Sequence, residues 1–90
     1  HTNMGKDDGE TFCRHLGPAI KHVHFSDNRS TEDHHMPLGV GSVDWKRAVS
    51  ALKGTGFDGT ITLEVFCDDP TVLFHYLEIS RKLIRDLWNR

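Results

Sequence analysis

The chain has 90 residues, of which 27% are charged and 37% hydrophobic, and its formal net charge is −2. This length suits one small domain, and the near balance of charges gives no electrostatic reason to expect nucleic acid or a membrane surface as partner. No apolar run approaches the ~18 residues of a membrane span. Cys13 and Cys67 are expected to be free thiols in a reducing cytoplasm.

A short helix is predicted near the N-terminus, over residues 10–16. Asp7, followed three residues later by Glu10, resembles a capping box, and Gly17-Pro18 is a common helix end. The sequence opens at His1 without an initiator methionine, which favours interpreting it as a piece of a longer protein.

A strand is predicted over 19–25, where side chains alternate in character. The period of two places His22 and His24 on the same face of this strand. Residues 26–43 follow as a polar connection without periodicity. A loop of this length is longer than a structural turn needs and is typical of a functional loop.

The second half of the chain predicts a helix, a strand and a helix, over 44–54, 60–66 and 71–88. Asp44 and Asp69 are the expected N-cap residues, with Pro70 at the first position of the last helix. In the strand, Glu64 shares a face with Thr62 and Phe66.

This order of elements predicts two parallel strands joined by a right-handed crossover. Parallel sheets are normally covered by helices on both faces and contain more than two strands. We therefore expect a single partial domain over 1–90, whose partner strands come from other copies of the chain or from the rest of a longer protein.

His24 and Glu64 each lie near the C-terminal end of a predicted strand, where α/β folds place their sites. Either residue alone could be structural, as a hydrogen-bonded histidine or an exposed edge carboxylate. Together, imidazole and carboxylate suit Mn²⁺, Mg²⁺, Co²⁺, Fe²⁺ or Zn²⁺. In the long loop, Asp33 and His35 could place two ligands on one ion, or belong to a solvated polar loop.

Four motifs in order resemble the sugar phosphate isomerase/epimerase superfamily, which has the xylose isomerase-like TIM-barrel fold. They are His22-Val23-His24, the Gly39-to-Trp45 segment GVGSVDW, the Gly56-to-Gly59 segment GFDG, and the strand glutamate Glu64. The resemblance covers nearly the whole chain. It implies an α/β fold that is the C-terminal quarter of a (β/α)8 barrel, with two parallel strands and three helices.

The resemblance also implies roles for individual residues. In that family, the histidine matching His24 and the glutamate matching Glu64 are ligands of a divalent metal such as Mn, Mg, Co or Zn. The glutamate also serves in proton transfer in the epimerases, so Glu64 is the expected catalytic residue. His1 matches a histidine near the site. The two remaining ligands of the family come from earlier strands, so this chain alone is expected to be inactive.

The leading hypothesis is a sugar or sugar-phosphate isomerase or epimerase of carbohydrate metabolism, with His1, Arg29, Asp33 and His35 as candidate substrate contacts. A second hypothesis is an enzyme like endonuclease IV, in which an Asp-x-His pair supplies extra zinc ligands and the reaction is phosphodiester cleavage. The mild acidity of the chain argues against nucleic acid. A third is a non-catalytic fragment that self-assembles as a homo-oligomer through exposed apolar strand faces.

Overall fold

The computed structural model describes residues 1–5 and 8–90. The described chain has the order α1-β1-α2-β2-α3, with two parallel strands and three helices, as a partial barrel requires. The elements are α1 (Gly9–Leu16), β1 (His22–Phe25), α2 (Trp45–Gly54), β2 (Thr60–Leu63) and α3 (Pro70–Trp88), with 3-10 turns at Thr2–Met4 and Gly17–Ala19.

The two strands pair in parallel, from His22 opposite Thr60 to Phe25 opposite Leu63. Gly59 fixes the start of this pairing, because a Cβ atom there would lie 1.9 Å from the carbonyl oxygen of Lys21. The same carbonyl accepts the N–H of Thr60 at 3.3 Å. A residue without a side chain is therefore needed where the turn after α2 meets the other strand.

Both strands are shorter than the sequence pattern predicts. The strand expected over 19–25 begins only at His22, because Gly17–Ala19 form a 3-10 turn that contains Pro18. The strand expected over 60–66 ends at Leu63. Beyond it, the N–H of Phe66 donates to the carbonyl of His35 at 3.1 Å, so the long loop replaces the sheet as its partner.

Each α-helix begins at an aspartate whose side chain accepts backbone N–H groups of the first turn. The caps are Asp8 for α1 (from Thr11), Asp44 for α2 (from Arg47) and Asp69 for α3 (from Thr71 and Val72). The cap expected at Asp7 lies outside the described residues, and α1 starts at Gly9, one residue before the predicted start. Within the described residues, no helix has the length and apolar character to cross a membrane.

The core lies between the sheet and the helices α2 and α3. Its buried residues are Leu38, Trp45, Val49 and Leu87, and Phe25 and Leu63 pack against them from the sheet. Burying each such side chain contributes about 1.5–3 kcal/mol relative to leaving it exposed. The core includes Leu38 from the long loop, so this loop is packed as part of the fold.

Apolar surface remains uncovered along both edges of the sheet. One side has a cavity of about 280 Å³, lined by residues that include Phe12, Ile20 and Val23. The other side has a cleft of about 360 Å³ against Ile61 and Trp88. In the described chain each strand pairs along one edge only, so both free edges can accept further strands.

Candidate active site

His24 and Glu64 lie side by side at the carboxyl ends of the two strands. Nδ1 of His24 is 2.5 Å from Oε2 of Glu64, and the two side chains are 55% and 31% exposed. The N–H of Glu64 donates to the carbonyl of Phe25 at 2.9 Å, which holds the residue against β1 just beyond β2. The register of the strands thus brings together the two residues that the sequence predicts as metal ligands.

His35 supports Glu64 from the long loop. Its Nδ1 lies 2.9 Å from the carbonyl oxygen of Glu64 and 3.4 Å from carboxylate oxygen Oε1, and a carbonyl can only accept, so Nδ1 donates. The imidazole stacks on Phe66, with ring centroids 4.2 Å apart and an angle of 9° between planes. His35 has a backbone φ of 52°, which lies in the left-handed region. The hydrogen bonds and the stacking of its side chain stabilise this conformation.

The surroundings of His35 favour its charged form. Burial by itself opposes a charge on the imidazole, but three other influences outweigh it. They are the hydrogen bond to the Glu64 carbonyl, the hydrogen bond to Asp33, and the negative charges of Asp33 and Glu64. Together they raise the pKa of His35 above its ordinary value, so this imidazole donates from both nitrogens over a wider pH range.

Asp33 connects His35 to His1. Oδ2 of Asp33 lies 2.9 Å from Nε2 of His35 and 2.9 Å from Nε2 of His1, whose ring meets that of His35 edge to face. Imidazoles and carboxylates therefore alternate across the carboxyl end of the sheet, in the order His24, Glu64, His35, Asp33, His1. All the candidate site residues from the sequence except one belong to this row, which we call the imidazole–carboxylate row.

Arg29 is the exception. It is exposed on the long loop and donates its backbone N–H to Nδ1 of His34 at 3.4 Å. His34 in turn pairs with Glu32 at 3.0 Å. Within residues 1–5 and 8–90, the structure does not bring the guanidinium of Arg29 into the row.

A buried carboxylate, which the sequence analysis does not single out, organises the long loop. Asp27 is 0% exposed and accepts four N–H groups. The donors are the backbone N–H groups of Asn28 (2.8 Å), Gly39 (2.9 Å) and Val43 (3.2 Å) and the indole N–H of Trp45 (2.8 Å). The backbone of Asp27 also forms a two-bond bridge with Met36, the neighbour of His35. We call this arrangement the Asp27 clamp.

Asn28 extends the clamp to the N-terminal turn. Its side-chain oxygen accepts from Nδ2 of Asn3 at 2.8 Å, and Asn3 also reaches the hydroxyl of Ser42 at 3.0 Å. The clamp therefore anchors two of the segments that carry the row, the loop with Asp33 and His35 and the turn that follows His1. The signal for it in the sequence is an aspartate just after a strand with a Gly-x-Gly pair downstream. A Cβ at Gly41 would lie 2.3 Å from Oδ1 of Asp27.

The row fits part of a divalent metal site. Nδ1 of His24 and Oε2 of Glu64 are donor atoms of the types that Mn²⁺, Co²⁺ and Zn²⁺ accept, and both side chains are partly exposed at the end of the sheet. Across residues 1–5 and 8–90, no three His, Cys, Asp or Glu side chains are grouped so as to hold an ion. These residues fit two ligands of a site that further strands would complete.

Comparison with known proteins places the chain in a family. The family model described as a xylose isomerase-like TIM barrel matches residues 1–87. A solved structure titled as a D-tagatose 3-epimerase-like protein superposes with a TM-score of 0.51 at 33% sequence identity. The superposition covers 72% of this chain and 26% of that one.

Two curated relatives are described as uncharacterised proteins. The chain is 35% identical over 93 residues to MJ1311 of Methanocaldococcus jannaschii. The aligned region covers 96% of this chain and 32% of the relative. It is 32% identical over 66 residues to Rv0498 of Mycobacterium tuberculosis, covering 72% of this chain and 24% of the relative. The chain thus spans about a third or less of the length of these relatives.

Proposed function

Because the chain belongs to the xylose isomerase-like TIM-barrel family, we propose that it contributes two metal ligands and a proton-transfer group to a sugar isomerase or epimerase. The substrate is a sugar or sugar phosphate, and the metal is Mn, Mg, Co or Zn. The name of the epimerase-like structural neighbour supports this choice of reaction. Two free thiols support a cytoplasmic location.

One observation carries the proposal, the pairing of His24 with Glu64 at the ends of adjacent parallel strands. Sites in barrels of this kind form at the carboxyl ends of the strands, from residues on several strands. His24 Nδ1 and Glu64 Oε2 would hold the ion. When bound, the ion would polarise the carbonyl and hydroxyl oxygens of the sugar.

Glu64 would then remove a proton from the carbon next to the carbonyl, and one of its carboxylate oxygens would accept that proton. His35 keeps this carboxylate in place through its contacts with the Glu64 carbonyl and Oε1. His1 and Asp33, at the outer end of the row, would exchange hydrogen bonds with sugar hydroxyl groups. The exposed face of Phe66 offers a flat apolar surface beside Glu64 for the C–H groups of the sugar.

The remaining strands and ligands come, in this proposal, from the rest of the barrel or from further copies of the chain. The free edges of β1 and β2 and the apolar surface beside them are suited to such strands. Self-assembly without catalysis is the competing outcome, and a native mass determination separates it from a complete barrel.

The test combines metal analysis with exchange of substrate hydrogen. We expect stoichiometric divalent metal by elemental analysis in the assembled protein, and incorporation of solvent deuterium next to the carbonyl of a ketose, followed by NMR. His24→Asn should lower the metal content, and Glu64→Gln should abolish deuterium incorporation. The matched controls are His75→Asn and Glu78→Gln, which alter exposed residues of α3. Exchange that survives in Glu64→Gln would contradict the proposed proton transfer.

A second candidate, zinc-dependent phosphodiester cleavage, is favoured by one specific observation. Both His1 and His35 direct Nε2 to the same oxygen of Asp33, at 2.9 Å each. Imidazole and carboxylate groups of this kind are zinc ligands, so Asp33 and His35 could supply the extra ligands that this candidate requires. Under this reading, Asp33→Asn lowers the zinc content and the protein cleaves DNA that contains an abasic site. Under the epimerase reading, the zinc content is unchanged and no cleavage occurs.

A further inference from the structure

The two loops that follow β1 and β2 bear on the class of sugar that this site takes. In TIM-barrel enzymes, the phosphate group of a substrate is frequently bound by the loops after the last two strands and by the N-terminus of a nearby helix. Such sites use backbone N–H groups that point into open space. In the proposed barrel, these positions correspond to residues 26–44 and 64–69 of this chain.

We propose that the substrate is an unphosphorylated, uncharged sugar. This inference rests on the proposed function and names the substrate class of that same site. Its basis is that carboxylates of the chain itself accept backbone N–H groups in the glycine-rich turn and at the N-termini of α2 and α3.

The glycine-rich turn of the long loop is the first of these donor groups. The N–H groups of Gly39 and Val43 donate to the Asp27 carboxylate at 2.9 and 3.2 Å, so a phosphate cannot receive them. The N–H of Ser42 donates to the carbonyl of Asn28 at 2.7 Å. A Cβ atom at Gly41 would lie 2.3 Å from Oδ1 of Asp27 and 2.3 Å from the carbonyl oxygen of Asn28. The Asp27 carboxylate is therefore the anion that these N–H groups already bind.

The N-termini of α2 and α3 are the second and third donor groups. The N–H of Arg47 donates to Asp44 at 3.0 Å, and the N–H groups of Thr71 and Val72 donate to Asp69 at 2.9 and 3.3 Å. The first residue of α3 is Pro70, which has no N–H. A phosphate approaching either helix would therefore meet a carboxylate where the positive end of the helix dipole would otherwise attract it.

The charges of the two loops support the same inference. Residues 26–44 and 64–69 contain one arginine, no lysine and seven carboxylate residues. The arginine is Arg29, which is exposed and outside the imidazole–carboxylate row. The carboxylates are Asp27, Glu32, Asp33, Asp44, Glu64, Asp68 and Asp69. Placing a phosphate dianion beside such loops opposes like charges, whereas a sugar hydroxyl can both donate to a carboxylate and accept from an imidazole.

The experiment compares a free ketopentose with its 5-phosphate on the metal-loaded, assembled protein, by deuterium incorporation at low ionic strength. We expect kcat/KM to favour the free sugar by at least about tenfold. Asp69→Ser keeps a capping oxygen and removes one negative charge. We therefore expect it to lower the ratio of kcat/KM for the free sugar to kcat/KM for the 5-phosphate by about threefold. The matched control is Asp86→Ser, an aspartate at the other end of α3 paired with Lys82, which should leave the preference unchanged. A ³¹P titration with inorganic phosphate should show no binding.

The outcomes separate the two levels of the proposal. A preference for the 5-phosphate would overturn the inference and leave the isomerase or epimerase function standing. Equal narrowing in Asp69→Ser and Asp86→Ser would overturn the role given to the helix cap. Exchange with neither sugar would overturn the proposed function together with the inference.

Discussion

Two carboxylates that follow adjacent strands, Asp27 and Glu64, lie in opposite environments. Asp27 comes two residues after β1, is fully buried and accepts four N–H groups from the loop around it. Glu64 directly follows β2, is partly exposed, and faces the imidazoles of His24 and His35. The same kind of side chain at the same end of the sheet is structural in one case and available for chemistry in the other.

The number and type of hydrogen-bond donors explain this difference. A carboxylate has about four acceptor sites, and the clamp supplies four donors to Asp27 from backbone and indole groups that cannot titrate. Glu64 keeps acceptor capacity free, and its partners are histidines, which can exchange protons or bind metal. The hydrogen-bond donors around a carboxylate at the end of a strand thus determine, more than its position does, whether it has a structural or a chemical role.

The sharpest test of this contrast is the substitution Asp27→Ala. It leaves three backbone N–H groups and an indole N–H buried without an acceptor, so we expect the free energy of unfolding to fall by about 3 kcal/mol or more. Urea denaturation measures this change. The control is Asp58→Ala at an exposed position, which should stay within about 0.5 kcal/mol. A loss below about 1 kcal/mol for Asp27→Ala would contradict the structural role of the clamp.

A smaller effect on stability is expected for Glu64→Gln. The side chain is 31% exposed and its partner His24 is 55% exposed, so the free energy of unfolding should change by less than about 1 kcal/mol. Activity should respond in the opposite way, with loss of deuterium incorporation. If Glu64→Gln were as destabilising as Asp27→Ala, the distinction between the two carboxylates would fail.

The titration of His35 probes the environment of Glu64 without catalysis. Its raised pKa means that the stability it contributes is fully present below the ordinary histidine pKa of about 6.5 and is lost as pH rises through the raised value. In NMR titration of the metal-free protein, His35 should titrate above the ordinary histidine value of about 6.5. Asp33→Asn should lower the pKa of His35, because it removes one of the negative charges. A His35 that titrates at or below the ordinary histidine value would show that the row does not form in solution.

The smallest effect is expected at Asp8, a surface counterpart of Asp27. Backbone and side-chain hydrogen bonds from Thr11 lower the pKa of Asp8 below its ordinary value of about 3.8. Its contribution to stability is therefore present above that value and is lost as pH falls through the lowered pKa. Asp8→Ser should retain the cap but remove this acid dependence, as followed by helix content at pH 2–5. An unchanged acid transition would contradict this account.

The parts of this structure that the sequence predicts are those with a local pattern. Alternation in the strands places His24 and Glu64 on one face, and capping aspartates mark the starts of α2 and α3 at Asp44 and Asp69. The parallel order of the strands then brings the two candidate ligands to one end of the sheet. Each of these inferences depends on residues within a few positions of one another, or on the general rule for parallel strands.

The parts that the sequence did not predict depend on distant partners. The donors to Asp27 lie as many as 18 residues further along the chain, so nothing near Asp27 marks it as buried. The strands end early because Pro18 forms a turn on one side and the loop at His35 accepts the N–H of Phe66 on the other. Arg29 lies close to His24 in sequence, but the long loop carries it away from the row.

The close approach of Gly59 to the carbonyl of Lys21 has a consequence for how this chain tolerates insertions and deletions. One residue added to the turn after α2 would shift β2 by one position along β1. Because side chains alternate between the two faces, the shift would direct residue 64 toward the helices and bring an aliphatic residue to the metal-binding face. The exposed tip of the long loop around Ser30 and Thr31 is not bound by such a constraint. Length variation among natural or engineered homologues should therefore collect at this tip and avoid the Gly56–Gly59 turn.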